Sequence, residues 1–222
     1  MSEKKKAKLF KLRYWFFDLV KVTGAIPGLL VFRPKIIYET PKARKRIRGG
    51  AILIGNHAGF IDPLYMMLSV WYRRHHFICA KEFFDAKAGI ILKGFQCIGV
   101  NRTNFDMKSF KEIVNCLNEG CIVSLFPEGH INEEEGLGAF KSGMVMMALK
   151  SNTPIIPMYY QKPKVPVINR LHVAIGEPID IREMFGERPS MNQINSITDM
   201  LYEKTLVLKH MVEGTDDNEK VK

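Results

Sequence analysis

The stretch Ala51-Ile52-Leu53-Ile54-Gly55-Asn56-His57-Ala58-Gly59-Phe60-Ile61-Asp62-Pro63 decides how this chain is read. A short apolar run closed by glycine suits a strand buried on both faces. Polar residues then interrupt it, and from Pro63 to Arg74 the apolar positions return at helical spacing, with proline where a first turn tolerates it. The same change of period recurs outward along the chain. Ala51–Gly55, His76–Ala80, Gln96–Val100, Cys121–Phe126, Pro154–Gln161 and Leu171–Gly176 read as strands. Pro63–Arg74, Phe83–Lys93, Asp106–Glu119, Lys141–Lys150 and Asn192–Val212 read as helices. This alternation predicts an α/β domain, a mixed or mainly parallel central sheet flanked by helices. No internal repeat is visible.

Polar residues fall where the predicted strands end, which is where open α/β sheets place their sites. Asn56-His57 follows the first strand, Asn101-Arg102 the third and Pro127-Glu128-Gly129 the fourth, so a base, a cation and a carboxylate converge on one cleft. His57 with Asp62 five residues on makes a general base if the carboxylate folds back to fix the imidazole tautomer and stabilise its cation. The spacing alone is weak, since a chain with six histidines yields it by chance about 0.2 times. On that spacing alone, a helix-capping aspartate and a structural histidine are the favoured reading. The chain has no GxSxG elbow and no cysteine beside a base motif. The base therefore acts on the substrate's own hydroxyl, by direct transfer.

The net charge of +10 is unevenly placed. Residues 1–50 hold 14 Lys/Arg against three acidic residues, and the remainder is nearly neutral. Residues 1–35 combine these basic residues with Tyr14, Trp15, Phe16, Phe17 and Phe32. Asp18, Lys21 and a Gly24/Pro27/Gly28 break interrupt the apolar run. A bilayer span needs ~20 predominantly apolar residues, so the reading is two short amphipathic helices lying at an anionic membrane surface. An amphipathic helix that merely covers the core is the competing account. The basic cluster Lys42, Arg44, Lys45, Arg46 and Arg48 adds to the attraction. A nucleic-acid binder is disfavoured, because no stacking motif accompanies the charge and the body is neutral. Residues 36–212 form the enzymatic domain, and the polar stretch 213–222 is expected to be a disordered tail. Cys79, Cys97, Cys116 and Cys121 lie in or beside apolar runs without CxxC spacing. Free buried thiols in a reducing compartment follow, and no metal is implied.

Four blocks carry a resemblance: Asn56-His57-x4-Asp62, Gly99-Val100-Asn101-Arg102, Phe126-Pro127-Glu128-Gly129 and Pro154-Ile155-Ile156-Pro157. In order and spacing they resemble the glycerol-3-phosphate and lysophosphatidic acid acyltransferase superfamily over roughly residues 50–180. The N-terminal segment is similar to the two-helix membrane motif of the bacterial 1-acylglycerol-3-phosphate acyltransferases. The resemblance implies that His57 and Asp62 are catalytic. His57 would deprotonate the sn-2 hydroxyl of 1-acylglycerol 3-phosphate, which attacks an acyl thioester of coenzyme A or acyl carrier protein to give phosphatidic acid. It implies substrate contacts from Asn56, Lys81, Arg102, Glu128, Gly129 and Lys141, and places the fourth block on the acyl side of the site. It implies no cofactor beyond the donor, and a peripheral, monotopic location on the cytoplasmic face of the cell membrane. One departure stands out. Family members continue the third block as Phe-Pro-Glu-Gly-Thr-Arg-Ser, whereas this chain has His130-Ile131-Asn132 after Gly129, followed by the acidic run Glu133-Glu134-Glu135. That shifts the open question to the acceptor: another lyso-lipid, with a headgroup or an amine, is the alternative, and a noncatalytic membrane-binding homologue is disfavoured by the presence of all four polar residues.

Overall fold

A computed structural model describes residues 15–85, 89–101, 106–132 and 136–220, the last six without their side chains. Seven strands build one sheet: β1 (Lys35–Tyr38), β2 (Ala51–Ile54), β3 (His75–Ala80), β4 (Ile98–Val100), β5 (Ile122–Leu125), β6 (Ile155–Gln161) and β7 (His172–Ile175). Their order is β1-β7-β6-β2-β5-β3-β4. All neighbours run parallel except β6 and β7, so the sheet is mixed, as the alternation predicted. All six predicted strands are present. The edge strand β1 was missed, being four half-buried residues directly after the apolar segment.

β2 is the centre of the sheet, and all four of its residues are buried. Its side chains alternate between two cores. Ile52 and Ile54 pack with α5 (Met107–Asn118), α6 (Gly143–Ser151) and α8 (Met191–Lys220), while Ala51 and Leu53 pack with α2 (Asp62–Ser69) and with Met158 and Tyr160 of β6. Burial on both faces explains why the strand is continuously apolar. The predicted helix Phe83–Lys93 is two pieces, α3 (Glu82–Asp85) and α4 (Gly89–Gly94). Gly89 approaches the Phe84 backbone so closely that an added Cβ would lie 2.1 Å from its carbonyl oxygen. A short helix, α7 (Ile181–Phe185), was not anticipated. Asp180 caps it by accepting from the amides of Arg182 and Glu183.

The N-terminal reading is corrected. Among the described residues one unbroken helix, α1 (Trp15–Phe32), runs through the expected Gly24/Pro27/Gly28 break, so the two-helix boundary does not fall there. Its packing against the body supports it. Phe17 is buried, Phe16 and Phe17 meet Phe95 edge-on, Asp18 takes both Nε and Nη2 of Arg74 at 2.8 and 2.7 Å, and Phe32 meets Tyr65. Gly28 also brings the helix against Leu68, the close approach that a larger residue would prevent. By length and composition α1 is able to cross a membrane. The other end of the chain is corrected too. α8 continues as helix through Lys220, over most of the stretch expected to be a disordered tail.

Candidate active site

His57 stands just beyond β2, where the sheet's central strand ends. Its Nδ1 lies 2.9 Å from Asp62 Oδ2, and the same carboxylate oxygen accepts from the amides of Ala58 at 2.6 Å and Gly59 at 2.7 Å. Asp62 is buried, so these three donors are what offset its desolvation. A carboxylate held this way accepts from Nδ1–H. The proton therefore sits on Nδ1, and the Nε2 lone pair faces outward without a partner among the described residues. Phe126 stacks on the imidazole, with ring centroids 4.0 Å apart and planes 12° from parallel. Imidazole position is thus fixed from two directions, by a hydrogen-bonded edge and an aromatic face.

Glu128 is brought to the same place by β5, but it faces inward. It is 1 % exposed, with Oε1 accepting from the His57 amide at 2.9 Å and Oε2 from the Gly138 amide at 2.8 Å. Asn56 behaves similarly. Its Nδ2 donates to the Tyr160 carbonyl at 3.1 Å and its Oδ1 accepts from the Tyr160 amide at 3.0 Å, while the Tyr160 hydroxyl donates to the Asn56 carbonyl. Both residues, expected among the substrate contacts, are placed as cross-braces holding the strand end that carries His57. Burial of Tyr160 pushes its hydroxyl well above the usual range, so it remains a donor.

Lys141 and Gly129 do meet at the open side. Gly129 has φ +76°, which favours glycine, and its missing Cβ leaves room for Lys141, whose Nζ passes 2.7 Å from where that Cβ would be. Lys141 is exposed, as is Lys81 just after β3. Arg102 and the run Glu133-Glu134-Glu135 lie outside the described residues. Downstream of Gly129, the Asn132 amide donates to the His57 carbonyl at 2.8 Å, so the segment that departs from the family pattern is tied to the backbone of the residue that carries the base.

Beside the base lies an apolar cavity of about 370 Å³ between α1, α2 and α4, with Phe60 and Pro63 reaching it from either side of Asp62. The fourth block, expected on the acyl side, is not among its lining residues. Ile155 and Ile156 are instead buried in the two cores, and Pro157 pairs in register with Ile54. Sequence reasoning also missed Tyr160 and Phe126 as builders of the site. Phe126 lay within a quoted block, but its stacking on His57 comes from two strands distant in sequence.

An imidazole with an outward lone pair, set next to a cavity with room for an apolar chain, is the equipment of an enzyme that moves acyl groups. Comparison with known sequences agrees with the geometry. The chain belongs to the acyltransferase family, whose sequence model matches residues 35–161. It is 27% identical over 169 residues to a 1-acyl-sn-glycerol-3-phosphate acyltransferase of Bacillus subtilis, covering 74% of this chain and 83% of that one. A protein of the same name from Borreliella burgdorferi is 30% identical over 115 residues, half of this chain and 45% of the relative. The crystal structure of the 1-acyl-sn-glycerophosphate (LPA) acyltransferase from Thermotoga maritima shares the fold, with a TM-score of 0.62 at 18% identity over 92% of this chain and 81% of that one.

Proposed function

We propose that this acyltransferase esterifies the sn-2 hydroxyl of 1-acylglycerol 3-phosphate with an acyl group from acyl-coenzyme A or acyl carrier protein, forming phosphatidic acid at a membrane surface. The outward lone pair of His57 Nε2 carries this reading, and the names of the curated relatives supply the acceptor. His57 takes the hydroxyl proton as the oxygen bonds to the thioester carbon. The C–S bond then breaks, and the imidazolium returns the proton to the departing sulfur. Asp62 stabilises the imidazolium through Nδ1. Phosphate contact falls to Lys141, Lys81 and Arg102, and Gly129 leaves room for the lysine. Glu128 and Asn56 position the base rather than the acceptor. The step balances with no cofactor beyond the donor.

The apolar cavity suits an acyl chain. The membrane reading rests on α1, where Trp15, Leu19, Val22, Ile26 and Leu30 are all more than half exposed and recur at helical spacing. Phe60 and Ile90, each over 80 % exposed, extend the apolar surface from the neighbouring elements around the cavity. Because α1 is pinned to the body by Phe17 and the Asp18–Arg74 pair, it lies in the headgroup boundary rather than spanning, with the exposed Arg44, Lys45, Arg46 and Arg48 available for anionic lipid on the cytoplasmic face.

A second acceptor, another lyso-lipid, is favoured by one observation: Asn132, within the divergent stretch after Gly129, is hydrogen-bonded to the His57 backbone. Labelled acyl-coenzyme A and acyl carrier protein, tried separately against a panel of lyso-lipids, decide the matter. Lysophosphatidic acid is expected to be acylated, and His57→Ala to lose turnover while keeping its fold. Turnover confined to a different lyso-lipid would transfer the assignment to that acceptor, and undiminished turnover by His57→Ala would end the mechanism.

A further inference from the structure

At the end of the sheet away from His57, three soft ligands meet. His76 enters from the start of β3, Cys121 directly precedes β5, and Cys116 sits in the last turn of α5. Their ligating atoms all lie within 4.8 Å of one another. His76 and Cys116 are buried and Cys121 is half-buried. His76 Nδ1 lies 3.0 Å from the Gln96 carbonyl, which can only accept, so the proton is on Nδ1 and the ring's ligating lone pair belongs to Nε2. A backbone carbonyl on the far nitrogen is the usual support of a metal-binding histidine.

Around a tetrahedral zinc-type ion, with Zn–S near 2.3 Å and Zn–N near 2.0 Å, ligand atoms stand about 3.5–4 Å apart. The 4.8 Å bound on these three puts them within reach of that spacing. Arg73, whose Nη2 is fixed on the carbonyls of Gly49 and Gly120, lies close to Cys121. A neighbouring cavity of about 620 Å³, which His76 and Cys116 help to line together with Asn115 and Glu119, gives an ion a way in. Sequence spacing implied no metal because the two cysteines lack a CxxC pattern and the histidine arrives from another strand.

We propose that His76, Cys116 and Cys121 bind a thiophilic divalent ion of the zinc class, with water from the adjoining cavity as the fourth ligand. Two thiols release their protons to solvent as two metal–sulfur bonds and one metal–nitrogen bond form. The ion ties the beginnings of β3 and β5 to α5. Those two strands deliver Lys81 and Phe126–Gly129 at their other ends, so the ion braces the frame of the site without touching the reactants.

The test uses untagged full-length protein carrying Cys79→Ser and Cys97→Ser, with Co²⁺ as the spectroscopic probe. One equivalent is expected to produce thiolate-to-cobalt charge transfer in the near ultraviolet and the visible bands of a tetrahedral centre, both bleached by Zn²⁺. Adding Cys116→Ser and Cys121→Ser should remove the bands, and His76→Gln should weaken binding at least ~10-fold. If circular dichroism shows the quadruple variant unfolded, Cys121→Ser alone, at the half-buried position, replaces it. Zn²⁺ should raise the unfolding midpoint of the parent but not of the Cys116/Cys121 variant. Absence of the bands, their persistence without Cys116 and Cys121, or a Cys116–Cys121 disulfide forming in place of metal uptake would overturn the proposal.

Discussion

At the scale of single residues, the site turns on how carboxylates are spent. Asp62 gives one oxygen to three donors, and that arrangement selects the His57 tautomer. Asp62→Asn presents an amide that cannot hold Nδ1–H in the same way, and kcat should fall by roughly 10²–10⁴ with little change in fold, read by steady-state kinetics and circular dichroism. Glu128 has a different job. Glu128→Gln turns an NH₂ group toward one of two backbone amides, leaving a buried donor unmatched, and should cost about 1–3 kcal/mol in denaturant unfolding as well as activity. Gly138→Ala should mimic it, since the new methyl would sit 2.7 Å from Glu128 Oε2. The five-residue spacing of His57 and Asp62 was a weak signal by itself, and the pair became legible only together with the three later blocks. The inward roles of Glu128 and Asn56 were not, because their partners Gly138 and Tyr160 reach them only once β2, β5 and β6 lie side by side.

At the scale of elements, the strands were readable because buried parallel strands are uniformly apolar, and the helices because their buried faces repeat. What the periodicity could not show is where packing overrides it. Pro27 and two glycines sit inside α1 because Phe17, Gly28 and Phe32 are held against the body, and Gly89 divides a segment whose pattern reads as one helix. α5 shows a case where the local code suffices. Asp106 caps it by accepting from the Ser109 amide at 2.7 Å, and that bond holds its carboxyl below the usual range. A lowered folded pKa means stabilisation that is present above the ordinary carboxylate value and lost as the pH drops through the folded one. Asp106→Ala should therefore melt below the parent at neutral pH, and the two melting curves should converge in acid below about pH 4.

At the scale of the whole molecule, the inner face of α1 (Val20, Gly24 and Ala25) and the segment after His57, through Phe60 and Pro63, line one apolar cavity, while the outer face of α1 stays exposed. Replacing Leu19, Val22, Ile26 and Leu30 with serine should weaken sedimentation with anionic liposomes while leaving the thermal midpoint nearly unchanged, because these side chains face outward. Equal liposome binding by the variant would remove α1 from the interface. The position of this helix also has a meaning in time. A chain is made from its N-terminus, and domains form as their segments emerge. α1 leaves the ribosome before β5 and β6 exist, so it offers apolar surface to a bilayer while His57 still lacks Phe126, Glu128 and Tyr160. The helix that carries the exposed apolar face is thus made before the residues that hold His57 in its working position.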